Sequence, residues 1–164
     1  MKINAAGFAL IKGFEGKRLE AYPDPGTGGE PWTIGYGHTT AAGLPTVHKG
    51  LVISQEDADE ILARDLEKFE KAVSTVLSRE ANENQFAAMV SLCFNIGLGN
   101  FAKSSVIHKF NSGDFKGAKD SFKLWNKAAG RVLSGLTARR KAEADLFAKP
   151  PPAGSGDTGE KKDA

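Results

Sequence analysis

The sequence changes character near residue 53, and this change constrains the fold more than any other feature. Before it, short apolar runs at Leu19–Tyr22, Trp32–Tyr36 and Val47–Val52 are separated by glycines and prolines, a pattern typical of short strands and turns. After it, apolar residues recur at three- and four-residue steps, which indicates amphipathic helices. The chain therefore predicts an α+β fold, with a small sheet followed by a larger helical part.

Capping patterns place the start of the two longest helices. A helix over 54–79 follows Ser54–Asp57, which resembles a capping box. A second helix starts at Asn82–Gln85 and is apolar around most of its circumference, so we expect it at the centre of the helical part, ended by Gly97, Gly99 and Asn100. Shorter helices are expected over 104–111, 115–126 and 135–147.

Two acidic residues near the glycine-rich stretch have surroundings of different kinds. Glu15 ends an apolar run with helical spacing, so we expect it at a helix end on a half-buried surface that favours a protonated carboxyl. Asp24 lies in the turn Tyr22–Gly26, where solvent keeps a carboxylate ionised. A proton donor and an ionised carboxylate near one another are the groups that hydrolysis of a glycosidic bond requires.

Thr33 opens a short stretch whose small residues let a ligand approach the backbone. Its hydroxyl could hold a water molecule between the two acids, while Gly35 and Gly37 reduce the bulk beside it. The chain has twenty acidic residues, and pairs at this spacing are common by chance. The residues alone therefore support no more than a possible carboxylate hydrolase.

At these positions the chain resembles the phage-type lysozymes, the endolysins of glycoside hydrolase family 24. The family motif is a Glu, then an Asp or Cys after eight residues, and then Thr-Ile-Gly-x-Gly-His. The resemblance runs from about Asn4 to Phe147, and the matching segments are Phe14–Gly16, Ala21–Asp24, Trp32–Thr39, Asn84–Ala88, Phe94–Gly97, Trp125–Ala128 and Gly135–Arg140.

The resemblance implies a muramidase that hydrolyses the β-1,4 bond between N-acetylmuramic acid and N-acetylglucosamine in peptidoglycan. Glu15 would be the general acid, with Asp24 and Thr33 activating or orienting a water that attacks from the opposite face. The anomeric carbon would then be inverted, which requires carboxyl groups about 6.5 to 9.5 Å apart. Phe94 and Ser104 match positions that line the saccharide cleft, although a core role for Phe94 and a helix-capping role for Ser104 compete.

One departure from the family concerns the partner carboxylate. The family has five residues between its Asp and its Thr, whereas eight separate Asp24 from Thr33 here. The family spacing would place Thr27 in the role, and a hydroxyl cannot serve as the base. We assign the role to Asp24, which keeps its distance from Glu15, and hold Glu30 as the reserve candidate.

The resemblance also implies a lysozyme-like architecture. We expect one catalytic domain over 1–149, with a small antiparallel β-sheet lobe at about 14–53 joined by a long helix at about 54–79 to a larger all-helical lobe at about 82–148. The cleft should lie where the sheet faces the helical lobe. Residues 150–164 have no large apolar side chain to bury and are expected to form a flexible tail.

Charge and cysteine content limit the partners. The net charge is +2, and the tail from Pro150 holds three acids and two lysines, so residues 1–149 carry +3. A mild positive charge on residues 1–149 favours association with anionic peptidoglycan. The Lys and Arg residues are dispersed along the sequence, and we expect them on a solvated surface. This dispersal argues against a nucleic-acid-binding function, which usually needs a concentrated basic patch. The single cysteine, Cys93, excludes an intrachain disulfide, and its apolar neighbours predict an inert, packed thiol.

Neither a long apolar span nor a leader peptide is apparent, so we expect no membrane partner and no signal peptide. By the resemblance, the protein would be a monomer held in the host cytoplasm that reaches the wall through a phage holin pore.

Three other functions have to be weighed. A lytic transglycosylase would use Glu15 alone, and a non-catalytic peptidoglycan-binding module would not require both acids. A zinc amidase would need metal ligands, but the spacing of His38, His48 and His108 is wrong for a helix-borne pair. We therefore expect no metal and no cofactor, and we expect His38 to brace the turn at Gly35–Gly37.

Overall fold

The computed structural model describes residues 1–151, so the predicted tail lies outside the described residues from position 152 onward. The elements in chain order are α1 Ala5–Glu15, β1 Arg18–Tyr22, β2 Thr33–Gly35, a 3₁₀ turn at Thr40–Ala42, α2 Gln55–Val76, α3 Glu83–Ile96, α4 Leu98–Lys103, α5 Ser105–Asn111, α6 Phe115–Ser121, a 3₁₀ turn at Phe122–Leu124, β3 Lys127–Ala128, β4 Arg131–Val132 and α7 Ser134–Ala148. Two compact units are formed, one by Met1–Leu10 together with the described residues from Phe69 to Pro151 and the other by Ile11–Lys68.

The Ile11–Lys68 unit is built on a short antiparallel sheet. β1 and β2 pair with Arg18 opposite Gly35 and Tyr22 opposite Thr33. Ile34 of β2 is fully buried, and the unit's core also contains Ala21 and Val47. Because these side chains come from different strands and loops, their burial fixes the register of the sheet.

The strand expected at Val47–Val52 does not form. Gly50 takes a positive φ of 90°, and only the residues after it reach β1, through Ala21 N–H to Leu51 O at 2.9 Å and Ile53 N–H to Leu19 O at 2.9 Å. A backbone turned at Gly50 cannot continue a ladder, so this segment contributes a single bridge, Val52 with Glu20.

Helix α2 begins where the sequence predicts, but it ends earlier than predicted. Ser54 and Asp57 form a reciprocal cap, with Asp57 N–H donating to Ser54 Oγ at 3.0 Å and Ser54 N–H donating to Asp57 Oδ2 at 3.1 Å. The helix stops at Val76, three residues before the predicted end. There the side-chain amide of Asn111 donates to Val76 O at 2.9 Å, a contact that local sequence cannot reveal.

Helix α3 forms the centre of the other unit, as predicted. Asn82 and Gln85 make the expected capping box, and nearly every residue from Asn84 to Cys93 is buried. Gly7 of α1 lies so close to this helix that a Cβ there would be 2.6 Å from Ala87 Cβ. The glycine is therefore required by the close approach of α1 and α3.

Two elements in this unit were not predicted. The chain re-enters a helix immediately after Gly97, and α4 buries Phe101. Lys127–Ala128 and Arg131–Val132 form a small hairpin whose turn contains Ala129 at φ 52° and Gly130 at φ 78°. The sequence signal at Gly97 was correctly placed, but it marks a turn between two helices rather than a helix end alone.

A buried ionic cluster joins α7 to α3, which pack against each other. The Glu143 carboxylate accepts hydrogen bonds from the Ser91 hydroxyl, from Arg139 Nε at 3.2 Å and from Arg140 Nη2 at 3.1 Å. Its other oxygen lies 2.7 Å from Arg140 Nε. Burial raises the pKa of Glu143, while Arg140, Ser91 and Arg139 act in the opposite direction. The expectation that basic residues lie on a solvated surface is wrong for these two arginines.

We predict that Glu143→Gln lowers the free energy of unfolding by about 3 to 5 kcal/mol, because it removes the anion that both buried guanidinium groups contact. Chemical denaturation followed by circular dichroism measures this change. The matched control is Asp145→Asn on the same helix, which breaks the exposed 2.8 Å pair with Lys141 and should cost no more than about 0.5 kcal/mol. Equal effects of the two substitutions would contradict this account of the cluster.

Candidate functional site

Glu15 is the last residue of α1, and its side chain is half-buried. The chain turns back after β2, and this return brings Gly37 to the Glu15 carboxyl: a Cβ placed on Gly37 would lie 3.6 Å from Glu15 Oε1. Gly37 has a φ of 91°, which other residues rarely adopt. The first acid of the sequence motif and the glycine turn of the second segment are therefore neighbours.

His38 holds this turn from the inside of the unit. Its backbone exchanges two 2.9 Å hydrogen bonds with Ile34. The ring is buried, with Nε2 3.0 Å from Pro45 O and Nδ1 2.7 Å from Asp65 Oδ2. Because a carbonyl only accepts, Nε2 is the donor to Pro45 O, and Nδ1 faces the Asp65 carboxyl. The prediction that His38 braces the turn is confirmed.

Asp24 organises the long loop between the two strands. Its backbone oxygen accepts from Gly28 N–H at 2.8 Å, its backbone N–H donates to Gly29 O at 2.9 Å, and its carboxylate accepts from Gly26 N–H at 3.0 Å. The side chain remains half-buried. The inserted residues thus form an ordered turn around Asp24, which keeps the carboxylate at the start of the loop.

Thr33 lies at the same end of the sheet as Asp24. The pairing of Tyr22 with Thr33 closes the loop that contains Asp24, so the two residues are brought together by the strand register. The Thr33 hydroxyl is 3.5 Å from Pro31 O, a long contact that leaves it able to turn towards another acceptor. Glu30 is exposed, and its backbone oxygen accepts from the Thr27 hydroxyl.

Glu15 and Asp24 lie near opposite ends of the β1–β2 sheet. Glu15 is next to the Arg18 and Gly35 end, whereas Asp24 follows the Tyr22 and Thr33 end. The register between these ends is irregular, because four residue steps along β1 lie opposite only two along β2. The two acidic residues therefore lie at opposite ends of one short sheet.

Phe94 and Ser104 belong to the other compact unit. Phe94 is half-buried and meets Phe69 edge to face, with ring centroids 5.1 Å apart. Ser104 is buried and caps α5, because its hydroxyl donates to Phe101 O at 2.8 Å and accepts from Ile107 N–H at 3.4 Å. These contacts support the competing roles of core and cap, and contact of either residue with a saccharide stays a prediction.

Within residues 1–151, no group of three His, Cys, Asp or Glu side chains is arranged to hold a metal ion. Over the same residues, no helix combines the length and apolar character that crossing a bilayer requires. His48 and His108 are exposed, while His38 is committed to the turn. Sequence reasoning missed Gln55 and Asp65, which contact this turn from α2 and carry no motif signal of their own.

Comparison with known proteins identifies relatives over most of the chain. The family model described as phage lysozyme matches residues 12–143. The endolysin of Salmonella phage P22 is 40% identical over 147 residues, a match that covers 90% of this chain and 98% of that protein. The endolysin of Bacillus phage B103 is also 40% identical over 147 residues, but this chain spans only 54% of its length.

Solved structures give the same result. The muramidase domain of SpmX from Asticaccaulis excentricus superimposes with a TM-score of 0.80 and 38% sequence identity. The match covers 91% of this chain and 99% of that domain.

We predict that the Cys93 thiol does not react with a disulfide reagent in the native protein. Burial raises the pKa of Cys93 to about 12, so at pH 8 only about 10⁻⁴ of the thiol is ionised. Labelling should require unfolding, and the protein in denaturant, where the thiol reacts at once, is the control. Rapid stoichiometric labelling of the native protein would show that Cys93 is accessible.

Proposed function

The chain belongs to the phage lysozyme family, and we propose that it hydrolyses the β-1,4 bond between N-acetylmuramic acid and N-acetylglucosamine in bacterial peptidoglycan. The α+β, lysozyme-like fold class expected from the sequence is confirmed by the structural relatives. The observation that carries the proposal is the placement of the Glu15 carboxyl against the Gly37 turn. This contact joins the two parts of the family motif.

Glu15 acts in this proposal as the general acid. A glycosidic oxygen is a poor leaving group until it is protonated, and a carboxyl on a fixed helix end can deliver the proton in a defined direction. The half-buried position at the end of α1 and the rigid turn beside it support this role. Its backbone is constrained both by the helix and by the strand that begins three residues later.

Asp24 and Thr33 act together at the other end of the sheet. Asp24 accepts a proton from the attacking water or stabilises the positive charge that develops on the sugar, and Thr33 orients that water. The Tyr22 and Thr33 pairing supports this division of roles because it brings the two residues to the same end of the sheet. Attack from that side, opposite the acid, would invert the anomeric carbon.

We also propose the biological setting. The enzyme would work as a monomer on peptidoglycan glycan strands of the host, be held in the host cytoplasm, and reach the wall through a holin pore. The net charge of +2 favours association with an anionic wall. Degradation of the wall would then lyse the host cell.

We predict that Glu15→Gln lowers the turnover number on purified peptidoglycan by at least about 100-fold, because the amide keeps the shape of the side chain but cannot donate the required proton. Release of reducing sugar measures turnover. Glu20→Gln, at an exposed position on β1, is the control and should retain wild-type activity. Near-normal turnover in Glu15→Gln would remove Glu15 from the mechanism.

A second pair of substitutions distinguishes Asp24 from Glu30. Asp24→Asn keeps an oxygen that can accept from Gly26 N–H, so the turn should persist while activity falls by at least about 10-fold. Glu30→Gln should leave activity within about 2-fold of the wild type, as for an exposed residue outside the chemistry. The reverse pattern in the same reducing-sugar assay would assign the role to Glu30.

A further inference from the structure

The turn that faces Glu15 is held on both sides of Gly37. On one side, His38 is fixed by Asp65 and Pro45, as described above. On the other side, Tyr36 is buried, and its hydroxyl accepts a hydrogen bond from Gln55 Nε2 at 3.0 Å. The position of Gly37 relative to the Glu15 carboxyl therefore depends on the contacts of its two neighbours.

The side-chain nitrogen of Gln55 that donates to Tyr36 also makes a second hydrogen bond. Nε2 also donates to Asp59 Oδ1, one helical turn further along α2, at 2.9 Å. A side-chain amide has two N–H groups, so both are used, and this fixes the orientation of the amide. The Gln55 side chain is thereby held in the one orientation that reaches Tyr36.

The chain of contacts continues to the helix that carries Glu15. Lys12 Nζ lies 3.5 Å from the same Asp59 oxygen. Lys12 is on α1, three residues before Glu15, so the two side chains leave neighbouring turns of one face of the helix. The sequence of contacts Tyr36, Gln55, Asp59 and Lys12 thus begins beside Gly37 and ends one turn from Glu15.

We propose that Gln55 is a positioning residue for the general acid: it holds the Gly37 turn and α1 in the register that aims the Glu15 carboxyl at the glycosidic oxygen. This inference rests on the proposed function of Glu15. Gln55 acts through Tyr36 and Asp59 rather than through the substrate. Its loss should therefore slow the chemical step and leave saccharide binding almost unchanged.

If the role of Gln55 were purely structural, its replacement would lower activity only as far as it lowers stability. The contact of the buried His38 with Asp65, the backbone bonds of Ile34 and the packing of Ile34 in the core keep the turn folded without Gln55, so Gln55 affects only its exact position relative to α1. Removal of the two hydrogen bonds of this partly exposed amide should therefore cost little stability. A loss of activity that exceeds the loss of stability separates positioning from folding.

The kinetic test uses Gln55→Met, which keeps the length of the side chain but cannot donate, and Tyr36→Phe, which removes only the hydroxyl. Each should lower kcat by about 10-fold with KM nearly unchanged, because a small misplacement of a catalytic group is costly. The double variant should be no slower than Gln55→Met alone, since Gln55→Met already removes the hydrogen bond that Tyr36→Phe cuts. Glu60→Met, at an exposed position on α2, is the control and should match the wild type.

A second measurement does not depend on activity. In a pH titration followed by NMR, the Gly37 amide resonance should respond to protonation of Glu15, and Glu15→Gln should abolish that response. In Gln55→Met the response should become smaller because the turn moves relative to the carboxyl, whereas in Glu60→Met it should be unchanged.

The outcomes separate the two proposals. A wild-type protein that releases no reducing sugar would refute the proposed function, yet the titration would still decide whether Gln55 holds the turn. Gln55→Met with wild-type kcat, with an unaltered Gly37 titration, or with a kcat loss fully explained by a lower melting temperature would overturn the positioning role.

Discussion

A single buried imidazole determines where the candidate site forms. His38 contacts a carbonyl with one nitrogen and a carboxylate with the other, so its ring can satisfy both only in one orientation. Loss of either hydrogen-bond partner would lower stability, because water cannot replace that partner in a buried site. The turn that contains Gly37 is consequently fixed, and the Glu15 carboxyl is placed against a rigid backbone rather than a mobile loop.

The two acids are supported by different kinds of structure, and this difference matches their proposed roles. Glu15 ends a helix and faces a turn fixed by side chains from α2. Asp24 belongs to a loop that is organised mainly by its own backbone and carboxylate. Such a loop can accept three additional residues, because lengthening it changes neither the Tyr22 and Thr33 pairing nor the position of Asp24 at its start.

Much of the fold could be predicted because its signals are local. The caps at Ser54 and Asn82 and the spacing of apolar residues gave α2 and α3, and the motif gave the β2 turn. The missed features depend on contacts between residues distant in sequence. Asn111 ends α2, and the α3 residue Ser91 joins the buried pair of Arg140 and Glu143.

The candidate site was only partly accessible to sequence reasoning for the same reason. Glu15, Asp24 and Thr33 could be selected from a motif, but Gln55 and Asp65 belong to an amphipathic helix whose polar residues look like ordinary surface positions. Their importance appears only when the turn is seen against α2. The i, i+3 and i, i+4 spacing of Glu143 from the two arginines was a usable signal for the ionic cluster.

In the proposed mechanism, water is the group that replaces the leaving sugar. Digestion of purified peptidoglycan in ¹⁸O-labelled water, followed by mass spectrometry of the released muropeptides, tests this directly. We expect reducing N-acetylmuramic acid ends that each carry one ¹⁸O atom. Unlabelled anhydro-muramic ends, or cleavage confined to the amide bond of the stem peptide, would contradict hydrolysis by these two acids.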